Sequence, residues 1–320
     1  MKRKETIRKL AAELELAPST VHRALSGHPN VSQSTRRKVL RAAHRKGYRL
    51  PIHEKGNVAI IVPTFSFSGY LECILPCLEA EFHRRGFRLF LIHEQDLALL
   101  SDRMFDGIVS LVWKEGLEKL LPQSFTIPVI VMNGASNKQE NIIGIMSDPR
   151  GIRQGLEYLR SRGCRRIFYI STTTENSPDA ADRLAEFRQF CQDSGQDYQS
   201  LHLKLHWHEL EESLPILLKA EPDACFCASE AYTAKIGHLL KAAGKRIPED
   251  LSLMGLEDNR ANAYFSPPLT ALRQNFERMA EMAAEGIVSA CKHKRPFTGG
   301  LVPFILIERQ SVRAADGRNS

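Results

Sequence analysis

Pro18, Ser19, His22 and Arg23 fall at spacings that cluster on one side of the N-terminal half of a helix. Side chains of these types can hydrogen-bond to base edges, and a guanidinium so placed can donate a bidentate pair to guanine O6 and N7, worth about 1–3 kcal/mol of discrimination. The charge around them points to the same polyanion. Residues 1–50 hold 13 Lys/Arg against 3 Asp/Glu, a net +10, whereas the whole 320-residue chain is +7, so residues 51–320 sum to −3. Basic charge confined to one short, patterned segment is the footprint of a nucleic-acid binder, since a merely solvated surface spreads its charges.

Other chemistries find less support. No G-x-S-x-G elbow, H-E-x-x-H pair, P-loop or G-x-G-x-x-G occurs, and no nucleophile stands beside the acidic groups, so the chain is not expected to be an enzyme. His202, His206 and His208 share a parity and would face one way on a strand, but a solvated edge is favoured over a metal site, and no metal or cofactor is expected. Glu211 and Glu212 suit the first turn of a helix, where the dipole favours acids. The seven cysteines are odd in number and lack a framework spacing. Cys225 and Cys227 alternate along a strand and Cys73 and Cys77 lie one helical turn apart, so they read as small core residues in a reducing compartment. No apolar run is as long as a membrane span, and Met1-Lys2-Arg3-Lys4 leads into an amphipathic stretch, so a cytoplasmic location is expected.

Three short helices are expected to position the basic residues. In the first, Ile7, Leu10, Ala11 and Leu14 make one apolar face behind an N-cap at Thr6; the second runs from about Pro18 to Ser26 with Val21, Ala24 and Leu25 inward; the third begins near a cap at Ser32 and turns Val39, Leu40 and Ala43 inward. From Asn57 the pattern becomes strand and helix alternating in two passes, with strands at Val58–Val62, Phe87–Ile92, Gly107–Val112 and Pro128–Met132, then Ile167–Ile170, Leu201–Leu205, Ala224–Ala228 and Leu251–Leu256. Asp106-Gly107-Ile108 echoes Asp223-Ala224-Cys225, and Ile127-Pro128 echoes Ile247-Pro248, as a duplicated unit would. Continuous apolar strands joined by helices imply parallel sheets covered on both faces. The expected fold is α/β: a three-helix headpiece over residues 1–49, a short linker over 50–56, and two doubly wound lobes over 57–312, one from about 57–148 and 277–297, the other from about 149–276 and 298–312. A flexible tail, 313–320, follows.

The headpiece residues Thr6-Ile7-Arg8-Lys9-Leu10-Ala11, Ser19-Thr20-Val21-His22-Arg23-Ala24-Leu25-Ser26-Gly27, Thr35-Arg36-Arg37-Lys38-Val39-Leu40 and Gly47-Tyr48-Arg49 resemble, at the right intervals, the helix-turn-helix of the lactose/galactose-repressor family. Arg162-Gly163-Cys164-Arg165-Arg166-Ile167, Asp250 to Gly255, Pro267 to Leu272 and Glu308-Arg309-Gln310-Ser311 resemble that family's sensor signatures, in the family's order over nearly the whole chain. The resemblance implies a dimeric transcription regulator, a repressor, with a periplasmic-binding-protein-like sensor whose hold on a palindromic operator is modulated by a sugar or related small polar effector between the lobes. A ligand-independent regulator and a sugar-processing enzyme remain as alternatives. It makes Pro18, Ser19, His22 and Arg23 the base-reading face, and matches Thr6, Thr20, Ser26, Asn30, Ser32, Thr35 and Tyr48 to backbone-phosphate positions. It also offers Ser68–Ala80 and Met279–Cys291 as pairing surfaces.

Ligands of open α/β sheets sit beyond strand C-termini, which points to Thr64, Phe67, Asn133, Ser229 and Glu257 as effector contacts. Arg183 resembles the family's effector-binding arginine, and Trp207 matches the place of a sugar-stacking aromatic. Departures from the family pattern are instructive. Glu15 stands where a turn glycine is usual, Ala17 where a helix cap is usual, and Asn133, Ser229 and Glu257 where Asp, Asn and Asp are common. Only Leu50 to Gly56 separate Arg49 from the first strand, and Pro51 lies among them, so no hinge helix is expected to push Leu50 or Ile52 between base steps.

Overall fold

The computed structural model describes residues 2–25, 30–45, 56–66, 69–97, 99–102, 105–112, 127–134, 142–172, 178–206, 209–293 and 297–314. Three helices open the chain: α1 (Lys2–Glu13), α2 (Pro18–Leu25) and α3 (Gln33–Arg45). Their apolar stripes meet in one small core of Leu10, Ala11, Leu14, Val21, Ala24, Leu25, Val39, Ala42 and Ala43. Helix α1 corrects one expectation. It begins at Lys2, so Thr6 lies inside the helix and is not its N-cap, because the Lys, Arg and Glu residues before it are good helix formers. The cap expected of Ser32 is present: its Oγ accepts the Thr35 N–H at 3.1 Å. Ala17 supplies no side-chain cap, but its carbonyl accepts from the N–H groups of Thr20 (2.9 Å) and Val21 (3.0 Å).

Beyond the headpiece two six-stranded sheets share one topology. The first has the order β11-β5-β4-β3-β1-β2, from β1 (Gly56–Val62), β2 (Phe87–His93), β3 (Gly107–Ser110), β4 (Val129–Met132), β5 (Ile142–Ser147) and β11 (Gly300–Val302). The second has the order β12-β10-β9-β8-β6-β7, from β6 (Ile167–Thr172), β7 (His202–Leu205), β8 (Ala224–Cys227), β9 (Ser252–Leu256), β10 (Thr270–Arg273) and β12 (Ile305–Ile307). Within β1–β5 and within β6–β10 neighbours pair parallel, whereas β12 runs antiparallel to β10. Four strands in each pass agree with the sequence reading; β5, β10, β11 and β12 are additions to it. Gly144 interrupts the apolar run of β5, and β11 and β12, at three residues each, are too short for a periodic signal.

The sequence echoes have a structural cause. Asp106, ahead of β3, accepts the Asn57 N–H of β1 at 2.7 Å; Asp223, ahead of β8, accepts the N–H groups of Arg165 and Arg166 ahead of β6, both at 2.8 Å. The two aspartates hold the same corner of two equivalent strand pairs. The helices are α4 (Tyr70–Arg84), α5 (Leu99–Asp102), α6 (Arg150–Ser161), α7 (Pro178–Asp193), α8 (Leu210–Lys219), α9 (Glu230–Ala242) and α10 (Phe276–Val288). Val58 to Val62 are all buried, as strands covered on both faces require. The second sheet's core is built on aromatics, with Tyr169 stacked on Phe187 at 4.7 Å.

The chain divides into two compact units. One comprises Met1–Ser66, Leu78–Ile145 and Ala280–Gly299; the other Phe67–Cys77, Met146–Met279 and Gly300–Ser320.

Candidate DNA-reading helix and sensor residues

Helix α2 is short enough that three apolar anchors fix its orientation. Val21, Ala24 and Leu25 are buried, which turns Pro18, Ser19, His22 and Arg23 together to the exposed side. A helix presenting an imidazole, a hydroxyl and a guanidinium on one face, on a unit of net positive charge, can enter a major groove and hydrogen-bond to base edges. Of the residues matched to phosphate contacts, Asn30 and Ser32 are exposed and Thr20 and Thr35 half-buried. Ser32 Oγ donates to Thr35 Oγ1 at 2.8 Å while it accepts the Thr35 N–H, so the Ser32 hydroxyl caps α3 as well. Ser26, Tyr48, the linker residues 50–55 and the side chain of Thr6 lie outside the described residues.

Asn133 and Glu257 prove to be equivalent. Each follows the corresponding strand, β4 or β9, and each is left-handed, with φ +52° and +69°. The Asn133 N–H donates to Ile145 O of β5 at 2.7 Å, and the Glu257 N–H to Leu272 O of β10 at 2.8 Å. Their side chains differ in occupancy. Asn133 is 2% exposed, and its Oδ1 accepts no hydrogen bond among the described residues. Glu257, 5% exposed, has one carboxylate oxygen accepting from Gln274 Nε2 at 2.6 Å and the other from Gln274 N at 3.1 Å. Gln274 Oε1 in turn accepts from Ser147 Oγ at 2.5 Å. Ser147 ends β5 and Gln274 follows β10, strands that no continuous apolar run in the sequence marks, and both lie outside the expected set of effector contacts.

Arg183 lies on α7, 5% exposed, beside a shallow surface dent that it lines with Met146, Ser147, Pro149, Asp182 and Phe304. A buried guanidinium beside a hydroxyl and two apolar walls can orient an oxygen-rich ligand. Ser229 occupies the N-cap position of α9 without a side-chain cap bond. Thr64 is exposed and its Oγ1 accepts the Ser66 N–H at 3.0 Å. Phe67 and Trp207 lie outside the described residues, as does His208.

His202 is half-buried at the start of β7, its Nε2 2.9 Å from Ser171 Oγ. Burial, then the charges of Arg188 and Lys204, push its pKa down to about 4. Among the described residues no three His, Cys, Asp or Glu side chains gather as a metal site, and no helix is long and apolar enough to cross a membrane. Cys225 and Cys227 are fully buried on β8, and burial raises the Cys227 thiol to about 12. Glu211 and Glu212 do occupy the first turn of α8, where Glu211 pairs with Lys235 at 2.8 Å.

Comparison with known proteins fits this geometry. Residues 156–312 match the model of the periplasmic binding protein-like domain. The HTH-type transcriptional repressor PurR of Mannheimia succiniciproducens is 23% identical over 312 residues, covering 90% of this chain and 92% of that protein. Among solved structures, the complex of the transcriptional regulator CelR with cellobiose has a TM-score of 0.69 at 24% identity, covering 95% of this chain and 99% of that one. The lac repressor dimer bound to operator and the anti-inducer ONPF has a TM-score of 0.69 at 17% identity, covering 95% and 98%. The three-helix start, the duplicated parallel sheets behind it and these likenesses make the chain similar to regulators of the lactose/galactose-repressor family.

Proposed function

We propose that this chain is a sequence-specific DNA-binding transcription regulator, a repressor, that works as a homodimer on a palindromic operator. Residues 1–49 form the reading headpiece and residues 57–312 the sensor, joined by the linker 50–56. Pro18, Ser19, His22 and Arg23 read base edges, with Arg23 donating to guanine; Thr6, Thr20, Ser26, Asn30, Ser32, Thr35 and Tyr48 face phosphates. The exposed polar face of α2 on a +10 headpiece carries this reading. One headpiece buries too little surface for tight specific binding, and a two-fold protein matches half-sites about one helical turn apart. The protein binds without turnover and works in the cytoplasm, where its DNA is.

The sensor binds a small polar effector, a sugar or related metabolite. The Oδ1 of Asn133, buried and without a donor among the described residues, supports this: a buried acceptor left unsatisfied costs about 1–3 kcal/mol, which a ligand hydroxyl or amine recovers. Arg183, Ser229, Thr64, Phe67 and Trp207 complete the expected set. Two of the similar proteins are described with sugars, cellobiose and D-xylulofuranose. One observation favours a ligand-independent regulator: the Glu257 carboxylate is already occupied by Gln274.

Selection from random oligonucleotides at physiological ionic strength tests the DNA reading. The expected result is an enriched palindrome whose advantage over other sequences falls on Arg23→Ala. No enriched sequence, and an affinity indifferent to Arg23→Ala, would refute it.

A further inference from the structure

Helix α1 ends in a conformation its sequence does not favour. The Leu16 N–H reaches back to Ala11 O at 2.9 Å and the Glu15 N–H to Ala12 O at 3.3 Å, with Glu15 at φ +55°. This is the helix ending that ordinarily uses glycine, because a Cβ crowds the backbone at positive φ. Here the residue carries not only a Cβ but a negative charge, at the end of the helix where the dipole is already negative. Helix α1 has no basic residue in its last turn to offset this, and its final residue is Glu13.

The compensating cation comes from another helix. Lys38 of α3 places Nζ 3.4 Å from the carbonyl oxygen of Leu14, 24 residues away in sequence. Leu14 O lies beyond the carbonyls of residues 10, 11 and 12, which the helix-ending bonds satisfy. The turn matters for recognition, since α2 begins at Pro18, three residues past Glu15, and the turn sets the direction in which α2 departs.

We infer that Lys38 is a positioning residue of the DNA-reading unit: it holds the Glu15 turn closed and so keeps Ser19, His22 and Arg23 in register with the groove. The inference rests on the DNA-binding reading above. Lys38 is exposed, so the competing role is a direct phosphate contact. The two roles have opposite signatures. A phosphate contact adds counterion release, whereas a clamp within the protein adds none.

The test uses the full chain in four forms: parent, Lys38→Met, Glu15→Gly and the double variant. Each is titrated with the duplex that the parent enriches from a random pool and with a scrambled duplex, from about 50 to about 200 mM KCl. Lys38→Met is expected to weaken the enriched duplex by about two- to fivefold, with the scrambled duplex and the salt slope unchanged. Glu15→Gly, which removes the need for the clamp, restores that loss while changing the parent much less. A salt slope reduced by about 0.9 per lysine, with equal loss on both duplexes and no rescue, makes Lys38 a phosphate contact and overturns the inference. Strictly additive effects of the two substitutions, or no effect of Lys38→Met, overturn it as well. If the parent enriches no sequence, the DNA reading itself has failed, an outcome separate from an additive cycle.

Discussion

Removing the Glu257 carboxylate separates a structural role from a ligand-binding one. In the sequence this residue is an effector contact; in the structure both its oxygens accept from Gln274, at 2.6 and 3.1 Å, in a buried setting. Hydrogen bonds to a charged group contribute about 1.5–3 kcal/mol each, and Glu257→Ala leaves both Gln274 donors buried and unsatisfied. Relief from burying a carboxylate offsets part of that, so a net loss of about 2–4 kcal/mol is expected. Glu257→Gln keeps one acceptor but sets amide against amide, for about half the loss. Gln274→Leu strands the carboxylate, and the cycle Glu257→Ala with Gln274→Leu should show a coupling above about 1 kcal/mol. The assay is urea unfolding of the full chain followed by tryptophan fluorescence; the sequence has two tryptophans, Trp113 and Trp207. A chain of two units need not unfold in one step, so midpoints of each transition are compared. A Glu257→Ala protein within about 0.5 kcal/mol of the parent, or a cycle without coupling, would refute the occupied state, and the carboxylate would return to the list of effector contacts.

Other predictions follow from single sites. Ser32→Ala removes the Thr35 N–H cap of α3 and should cost the headpiece about 1 kcal/mol, read by thermal unfolding; an unchanged midpoint contradicts it. His202 has a folded pKa of about 4, below the ordinary value near 6.5. Between those pH values the unfolded chain takes up a proton that the folded chain refuses, so stability is complete above about pH 6.5 and falls, by at most about 3 kcal/mol, as the pH drops toward 4. His202→Gln should remove that slope, and an identical slope in the variant would show that other groups cause it. Gly107→Ala places a Cβ 2.4 Å from Ile287 Cδ1, an overpacking of about 1–3 kcal/mol that Ile287→Val should partly relieve in the double variant, measured by chemical denaturation.

Much was legible before any coordinates, because it depended on neighbours in sequence. The buried side of α2 follows from the spacing of Val21, Ala24 and Leu25, and its exposed side is then fixed by the geometry of a helix. The two passes of apolar strands gave away parallel sheets, and the paired aspartates Asp106 and Asp223 were visible as a repeat before their shared role at the strand corners was. Glu15 was recognisable as a residue forced into a glycine's place. The N-terminal limit of α1 was not, since Lys2 to Glu5 carry charge but no apolar period.

What the tertiary structure alone decided is which polar groups are already spoken for. Glu257 and Gln274 are 17 residues apart and Ser147 and Gln274 are 127 apart, so no local pattern links them. Asn133 and Glu257 look alike in sequence logic and are alike in backbone, yet among the described residues the Glu257 carboxylate has its partner and the Asn133 Oδ1 has none. Side-chain type and spacing set what a residue can do; whether a hydrogen-bond partner stands within about 3 Å depends on where distant strands end, and only the folded chain sets that.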